Sequence, residues 1–464
     1  MTIVKRDLTV ESVPKSIMSV ALPVIAGGIL NTSLELVDAI FVGKLGSSAL
    51  AGVAMAGMVV FFLISFIAGL SVGTVALVSR AFGARDFDKA NRVAVQSFLA
   101  GIILAALLGI SGFFLSENIL KFLGSSGEVL SIGSIYLKIL FAGIFTMFLM
   151  FIGQSIFQGT GDTLTPMKIG VLSAVLNIIL DPIMIFGLFG FPRLEAPGAA
   201  LATVVSRGVG GIIMLTVLLR GRHSIHINLK KLKFDFDILK RIFLIGFPGS
   251  AQMLLRSFSG IVLIKIAALF GTAAIAVYGL GGRLFHLFLL PGFGFGAAAS
   301  TMVGQNLGAG KPDRANESAW TSSRYYLIYL IVLGTIVFAF SEKIVTVFNN
   351  EPEIIRLGAE YFRYIAVGSL FLSIGVVLSN ALQGAGDTIY PMIITGVSLY
   401  VVQIPVAYLL AGVLGWKETG IWVVLPIGSI VNASMMAYWF MQKKWQEKKV
   451  FAPAEVPPEF PFVE

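Results

Sequence analysis

The sequence contains no cysteine, only three histidines and few charged residues of either sign. The absence of cysteine excludes disulfide bonds, thiolate metal sites and cysteine nucleophiles. Only 13% of the residues are charged, whereas water-soluble domains carry about 25%. Because 56% of the residues are hydrophobic, a soluble fold could not hide the apolar surface of this chain from water.

Long apolar segments recur along the chain, and segments of about 18 residues or more can cross a bilayer core of about 30 Å. None alternates as a strand of a membrane β-barrel would. The first apolar segment is too long for a cleavable signal peptide, and no A-x-A site follows it. The pattern predicts twelve transmembrane helices, at 16–42, 48–79, 90–115, 131–157, 166–189, 197–220, 238–264, 272–303, 315–340, 356–382, 391–413 and 418–441.

Two blocks of sequence recur at one fixed spacing. Residues 78–91 read VSRAFGARDFDKAN, and residues 303–316, which lie 225 positions further on, read VGQNLGAGKPDRAN. The same spacing relates QGTGDTLTPM at 158–167 to QGAGDTIYPM at 383–392. The sequence therefore predicts an all-α integral membrane protein. Its twelve transmembrane helices form two homologous six-helix lobes, related by a pseudo-two-fold axis along the membrane normal.

Pro23 and Pro248 are also 225 positions apart, so the two lobes are aligned with almost no net insertion. We expect both prolines to let their helices bend as the lobes move. The predicted domains are an N-lobe at 1–220, a cytoplasmic linker at 221–237, a C-lobe at 238–442, and a disordered cytoplasmic tail at 443–464.

Lysine and arginine concentrate in alternate connecting segments. With the N-terminus on the inside, most of them fall on the cytoplasmic side, which places both termini and the linker in the cytoplasm. The net charge of +9 is then explained by topology and does not indicate a nucleic-acid partner. We expect a multi-pass monomer in the plasma membrane or the bacterial inner membrane.

Ionisable residues inside membrane helices are functional candidates, because an unpaired charge there costs about 3 kcal/mol on insertion scales. Glu35 and Asp38 lie on the first predicted helix, and Asn177 and Asp181 lie four residues apart on one face of the fifth. Pro182 removes a backbone donor, which leaves a carbonyl free and favours a bend. These groups offer a site for a proton or a small cation. The alternative is that the two aspartates only cap helices at the outer interface.

The repeat provides an internal control for these residues. Residues that served packing alone would more often be matched in both halves, yet none of the four polar positions is matched in the C-lobe. This asymmetry favours a functional role for the N-lobe set. The counterparts of Glu35, Asp38, Asn177 and Asp181 are Gly260, Leu263, Val402 and Val406.

Arg256 in the C-lobe is the repeat counterpart of Asn31, which lies one turn from Glu35. Arg256 could pair with Glu35 across the lobes in one conformation. It could equally extend toward the membrane surface or contact backbone carbonyls. Asn31, Glu35, Gln154 and Arg256 are therefore candidates for an additional cavity.

Several motifs resemble the multidrug and toxic compound extrusion (MATE) family. They are LVDAIFVGKLGSSALAG at 36–52, GARDFDKAN at 83–91, QGTGDTLTPM, and NIILDPIMIFG at 177–187 followed by GAALATVVS. The resemblance covers Pro14 to Lys444. It implies a twelve-helix antiporter, not an enzyme, that expels cationic or amphipathic organic compounds in exchange for protons or sodium. No cofactor is implied, and the coupling ion is H⁺ or Na⁺.

Within the family the chain is similar to the DinF-like branch, and the resemblance implies a cation-coupling site at Asp38, Asn177, Asp181 and Thr203. The same four residues would bind the metal if sodium were the coupling ion. The NorM-like branch has additional carboxylates on its seventh and tenth helices. Here the seventh predicted helix offers Arg256 and Lys265, and the tenth has no acid after Glu360, which argues against such a site. Glu35 departs from the family pattern, which usually has a small or amide residue there.

The sequence argues against three other functions, of which the first is the closest alternative. A lipid-linked precursor flippase of the same superfamily would have extra helices and a strongly cationic cavity. An integral membrane transferase would need clustered aspartates or a His/Asp pair in a membrane loop. A passive channel would not require duplicated, broken helices.

Overall fold

The computed structural model describes residues 7–221 and 234–451, and nearly all of these residues are helical. The N-lobe comprises α1 (Val13–Gly43), α2 (Ser47–Gly83), α3 (Phe87–Phe122), α4 (Gly127–Ala142), α5 (Ile144–Thr160), α6 (Leu164–Phe186) and α7 (Ala196–Arg220). The C-lobe comprises α8 (Phe236–Ala268), α9 (Thr272–Gly308), α10 (Pro312–Thr346), α11 (Pro352–Ser369), α12 (Leu372–Gly384), α13 (Ile389–Gly396), α14 (Ile404–Tyr408) and α15 (Lys417–Met441). π-Helical turns at Val397–Gln403 and Leu409–Val413 flank α14, and 3₁₀ turns occur at Leu188–Gly190 and Lys444–Glu447.

Ten helical segments of the described chain are long and apolar enough to cross a membrane, and two bent pairs raise the number to twelve. The predicted helix at 131–157 is the pair α4 and α5, bent by 51°. Its counterpart in the C-lobe is the pair α11 and α12, bent by 45°. Gly143 at the first bend and Gly368 near the second are repeat equivalents, and a glycine lets the chain change direction there. The prediction of twelve helices in two lobes is confirmed.

The lobes meet through two equivalent contacts, α1 with α9 and α8 with α2, and through the contact of α2 with its own repeat counterpart α9. In one contact a Cβ atom added at Gly69 would lie 2.6 Å from the carbonyl oxygen of Gly246. In the other, a Cβ atom added at Gly294 would lie 2.8 Å from the carbonyl oxygen of Ala21. These two pairs are repeat equivalents, and only glycine allows such close approach of the backbones.

The close contacts between the lobes lie on the side where the chain begins and ends. Further from the termini, a Cβ atom added at Gly57 on α2, or at its repeat counterpart Gly282 on α9, would meet no neighbouring atom within 4 Å. The lobes therefore pack together on the terminus side and diverge toward the opposite side.

The first described residues connect the two lobes on the terminus side. Asp7 pairs with Arg85 of the N-lobe at 3.1 Å, and Lys311 of the C-lobe donates to the carbonyl oxygen of Thr9 at 2.9 Å. Arg314 donates to the carbonyl oxygens of Leu8 and Glu11. This segment therefore holds the ends of α2 and α9 near each other.

Residues 443–451, which the sequence assigns to a disordered tail, are packed, so that expectation is wrong for this segment. Trp445 is 1% exposed and Val450 is buried against the N-lobe core. The Lys448 ammonium donates to Asp387 at 2.8 Å, while Arg80 of the N-lobe donates to the carbonyl oxygen of Lys448 at 3.0 Å. The segment is ordered because its apolar side chains are buried and its polar groups are paired. Residues 452–464 and most of the predicted linker, 222–233, lie outside the described residues.

Candidate functional site

A cavity of about 370 Å³ lies in the N-lobe between α1, α5, α6 and α7. Leu290 and Phe293 of α9 line the side that faces the C-lobe. Its apolar wall is rich in methionine, whose unbranched thioether adapts to ligands of different shape. The methionine and phenylalanine residues from the N-lobe are Met147, Met150, Met167, Met214 and Phe151.

One face of α1 carries Asn31, Glu35 and Asp38 into this cavity, because residues three and four apart share a helical face. The amide of Asn31 donates to Glu35 Oε1 at 3.0 Å, which fixes the direction of that carboxylate. Pro23 lies two turns earlier on α1 and also lines the cavity. The first predicted helix therefore presents three polar side chains to the cavity, beginning two turns after a proline.

Asn177 on α6 and Thr203 on α7 complete the predicted coupling set on the cavity wall. Asp181 lies behind this wall, 1% exposed, and its Oδ1 accepts a hydrogen bond from the Asn177 amide at 3.2 Å. The Asp38 and Asp181 carboxylates are close enough to interact electrostatically. The four predicted residues are therefore brought together, with Asp181 as the innermost.

Two carboxylate oxygens at this site have no hydrogen-bond partner in the described part of the chain, Oδ1 of Asp38 and Oδ2 of Asp181. Buried carboxylate oxygens without donors are costly, and a proton or a cation would satisfy them. Across residues 7–221 and 234–451, no three His, Cys, Asp or Glu side chains form a group that could hold a metal ion. A sodium ion would therefore depend on the amide of Asn177 and the hydroxyl of Thr203 as well as the two aspartates.

The additional candidates separate into two groups. Asn31, Glu35 and Gln154 line the N-lobe cavity as expected. Arg256 does not, because α8 belongs to the other lobe, where the guanidinium interacts electrostatically with the Tyr326 phenol. No ion pair joins Arg256 to Glu35 among the described residues. The predicted cross-lobe pairing is absent from this conformation.

Arg207 is a cavity residue that the sequence analysis missed. It lies on α7 one turn after Thr203, lines the same cavity, and interacts electrostatically with Glu35, Asp38 and the buried Tyr136. The available signal was a positive charge ten residues into a predicted membrane helix, with no acid within four positions of it on that helix.

The equivalent region of the C-lobe is filled by side chains. Gln252 is the repeat counterpart of Gly27, a cavity-lining residue. Its amide nitrogen lies 2.8 Å from the Thr395 hydroxyl and 3.1 Å from the Ser379 hydroxyl, and its oxygen accepts from Gln383 at 2.7 Å. These groups fulfil one another's hydrogen-bonding capacity. The C-lobe therefore has no comparable carboxylate without a partner at this place.

A sequence profile of the MatE family matches residues 23–183 and 248–409, which correspond to the two halves of the repeat. The probable multidrug resistance protein NorM of Thermotoga maritima is 30% identical over 457 residues, which cover 96% of this chain and 97% of that protein. A MATE structure in the bent conformation aligns with a TM-score of 0.89 at 26% identity, covering 96% of this chain and 98% of that one.

An outward-facing structure of a multidrug resistance MATE family transporter of the MOP superfamily gives a TM-score of 0.88 at 26% identity, covering 95% of this chain and 98% of that one. The multidrug export protein MepA of Staphylococcus saprophyticus is likewise 30% identical over 411 residues, which cover 87% of this chain and 89% of that protein. Together with the two-lobe fold and the repeat, these similarities show that the chain belongs to the MATE family of multidrug efflux transporters.

Proposed function

We propose that this protein is a secondary active antiporter that exports cationic or amphipathic organic compounds in exchange for protons, or for sodium. The coupling site in this proposal is the N-lobe set Asp38, Asn177, Asp181 and Thr203. The observation that carries it is the pair of unpartnered carboxylate oxygens, on Asp38 and Asp181, beside the N-lobe cavity. A group that alternately gains and loses a cation needs such an incomplete shell of donors.

In the proposed cycle, an ion from outside neutralises the carboxylates while the lobes are open on the side away from the termini. A substrate then leaves to the outside, because its positive charge no longer has a counter-charge in the cavity. Rocking of the lobes about the α1–α9 and α2–α8 contacts exposes the site to the cytoplasm. The ion is released there, and a new substrate takes its place.

This cycle places both termini in the cytoplasm of a cell bounded by a plasma or inner membrane, in agreement with the distribution of lysine and arginine. The molecule would then be open to the outside in the conformation described here. We further propose that it acts as a monomer and belongs to the DinF-like branch. The seventh predicted helix, 238–264, has no acid and the tenth has none after Glu360, which supports that branch.

A lipid-linked precursor flippase is the alternative from the same superfamily. Its anionic pyrophosphate substrate would favour a cavity of strongly positive charge. Here the cavity wall carries the carboxylates of Glu35 and Asp38 against the single guanidinium of Arg207. The charge balance therefore favours substrates that are cationic.

The test is transport in proteoliposomes of the purified protein. Movement of ethidium or norfloxacin is followed under an imposed pH gradient and, separately, under an imposed sodium gradient. We expect export with at least one of the two gradients. Failure of both, with protein that is folded and correctly reconstituted, would reject the antiport proposal.

A further inference from the structure

Arg207 places a fixed positive charge in the cavity that the carboxylates share. It lies on the α7 face that carries Thr203, and its guanidinium interacts electrostatically with Asp38 and Glu35. Within residues 7–221 and 234–451 it makes no hydrogen bond and no direct ion pair. Burying a guanidinium inside a membrane protein costs free energy. An arginine that no hydrogen bond or ion pair holds in place there is therefore expected to have a functional role.

The repeat shows that this charge accompanies the carboxylates. The C-lobe counterpart of Arg207 is Asn432, whose amide lies 3.4 Å from the Ser398 hydroxyl. The C-lobe positions equivalent to Glu35, Asp38 and Asp181 are also uncharged. If the arginine only served the packing of α7, we would expect a similar residue in the C-lobe. It occurs instead in the lobe that carries the acids.

We propose that Arg207 selects the coupling ion: its guanidinium acts as a built-in counter-cation for Asp38 and Glu35, so that sodium is excluded and protons are accepted. This inference rests on the proposed function, because it assumes that the N-lobe carboxylates are the coupling site. It extends that function by naming the ion and the residue that chooses it.

A sodium ion in this cavity would be a second positive charge near Arg207. Repulsion between two such charges is stronger in the low dielectric of a protein interior than in water. Hard cations also require several oxygen ligands around them. The five N–H donors of the guanidinium, none of which bonds a carboxylate of the described residues in this conformation, are available to compete with sodium for those oxygens.

A proton is affected differently. It forms a covalent O–H bond with one carboxylate oxygen, so a charged carboxylate becomes a neutral carboxyl group without a coordination shell. When Asp38 is protonated, Arg207 keeps Glu35 as a counter-charge. The titratable or charged groups around Arg207 are Glu35 and Asp38 on α1, Tyr136 on α4 and Asp181 on α6, whereas the α9 residues on the cavity wall are Leu290 and Phe293.

The experiment measures saturable binding of radioactive sodium to purified, folded protein at constant pH, together with ethidium export driven by a sodium gradient without a pH gradient. The central variant is Arg207→Asn, which installs the residue of the C-lobe counterpart. Arg207→Gln is a second neutral variant, in case the first does not fold, and Arg207→Lys keeps the charge. Arg256→Asn is the matched control, because it removes a cation of the same size from the C-lobe.

We expect no saturable sodium binding in wild type, Arg207→Lys or Arg256→Asn, and saturable binding in the neutral Arg207 variants, at concentrations at least tenfold below the highest one tested on wild type. Sodium binding or sodium-driven export by wild type would overturn the proposal while leaving antiport itself intact. Folded neutral variants that still reject sodium would overturn it too. A wild type that exports nothing under either gradient would refute the underlying antiport, which is a distinct result.

Discussion

The N-lobe and the C-lobe share one arrangement of helices but use the space at the centre of that arrangement differently. In the N-lobe, Gly27 and Gly170 leave room for a cavity bordered by carboxylates. In the C-lobe, Gln252 and Thr395 occupy the equivalent positions and hydrogen-bond to each other at 2.8 Å. The duplicated fold thus packs its helices in the same way in both lobes, but at this place, among the described residues, only the N-lobe has a cavity with charged side chains.

This difference explains how one lobe can act as a moving part and the other as its support. Unpartnered carboxylates can gain and lose a proton, so the balance of forces in the N-lobe can change. The amide and hydroxyl network of the C-lobe is complete and has no group that titrates near neutral pH. The comparison predicts that changes in charge or space affect transport when made in the N-lobe, and affect mainly stability when made in the C-lobe.

The largest effect is expected from Asp38→Asn, which removes the titratable group while keeping the shape of the side chain. Coupled export should fall at least tenfold with expression unchanged. The matched changes are Leu263→Ala, at the counterpart of Asp38, and Val402→Ala, at the counterpart of Asn177. Both should impair transport much less, as measured by drug resistance in cells normalised to protein level. Equal losses in the two lobes would remove the basis of the comparison.

The next test fills the cavity of the N-lobe and, in a separate variant, removes the side chain that fills the equivalent place in the C-lobe. A Cβ atom at Gly27 would lie 3.7 Å from Met167 Cγ, an ordinary contact, so Gly27→Gln can be accommodated. It should occupy the cavity and lower export several-fold while leaving the protein folded. Gln252→Ala should instead lower stability, by about 1–3 kcal/mol, because Thr395 and Gln383 lose their buried partner. Thermal unfolding and transport of both variants would show whether the two effects separate.

A third test asks whether the N-lobe residues form one site. Asp181→Asn and Asn177→Ala should each reduce export several-fold. The double variant should be little worse than either single variant, because these two side chains are bonded to each other and each change already disables the same site. Losses that add in the double variant would show that the residues act independently.

The smallest effect is expected at Asp7, outside the membrane-spanning segments. Burial disfavours its charge, but the hydroxyl and backbone N–H of Thr9 and the Arg85 guanidinium outweigh that and hold the pKa of Asp7 below its ordinary 3.8. A carboxylate whose pKa is lowered on folding stabilises the folded state at every pH above its ordinary pKa. This stabilisation is lost only as the pH falls below that ordinary pKa and toward the lowered one. Asp7→Asn should therefore change the melting temperature by the same small amount at about pH 5 and about pH 8. A pH-dependent difference in that range would locate a titrating group at the terminus side.

The amino-acid sequence was sufficient for the helix count, the duplication and most of the polar residues that the structure brings together around the N-lobe cavity. Asp38, Asn177 and Asp181 stood out because polar groups in apolar helices are costly and because the repeat does not match them. The bends between α4 and α5 and between α11 and α12 were not predicted, since both sides of each bend are apolar. Bends of this kind depend on tertiary packing and not on hydropathy.

Two other features depend on contacts that a single sequence does not reveal. The segment 443–451 looks like a charged tail, yet it is held by Asp387 and Arg80, which lie far away in the sequence. Arg207 lies on a helix without a nearby acid, and its partners are on α1 and α4. The filling of the C-lobe by Gln252 likewise becomes visible only when α8, α12 and α13 are packed together.

The most direct test of the central claim is the geometry of α1 as a function of pH. Protonation of the N-lobe carboxylates should remove the charge that keeps α1 against the polar cavity, so that α1 bends near Pro23 and the cavity shrinks. Spin labels on α1 and α6 would report the distance between these helices from about pH 5 to about pH 8. We predict a distance that changes with pH in wild type and in Asp7→Asn but stays constant in Asp38→Asn. Identical distances across this range in wild type and Asp38→Asn would contradict a proton-driven bend in α1 and leave rocking of the lobes without such a bend, or sodium coupling, as the better account.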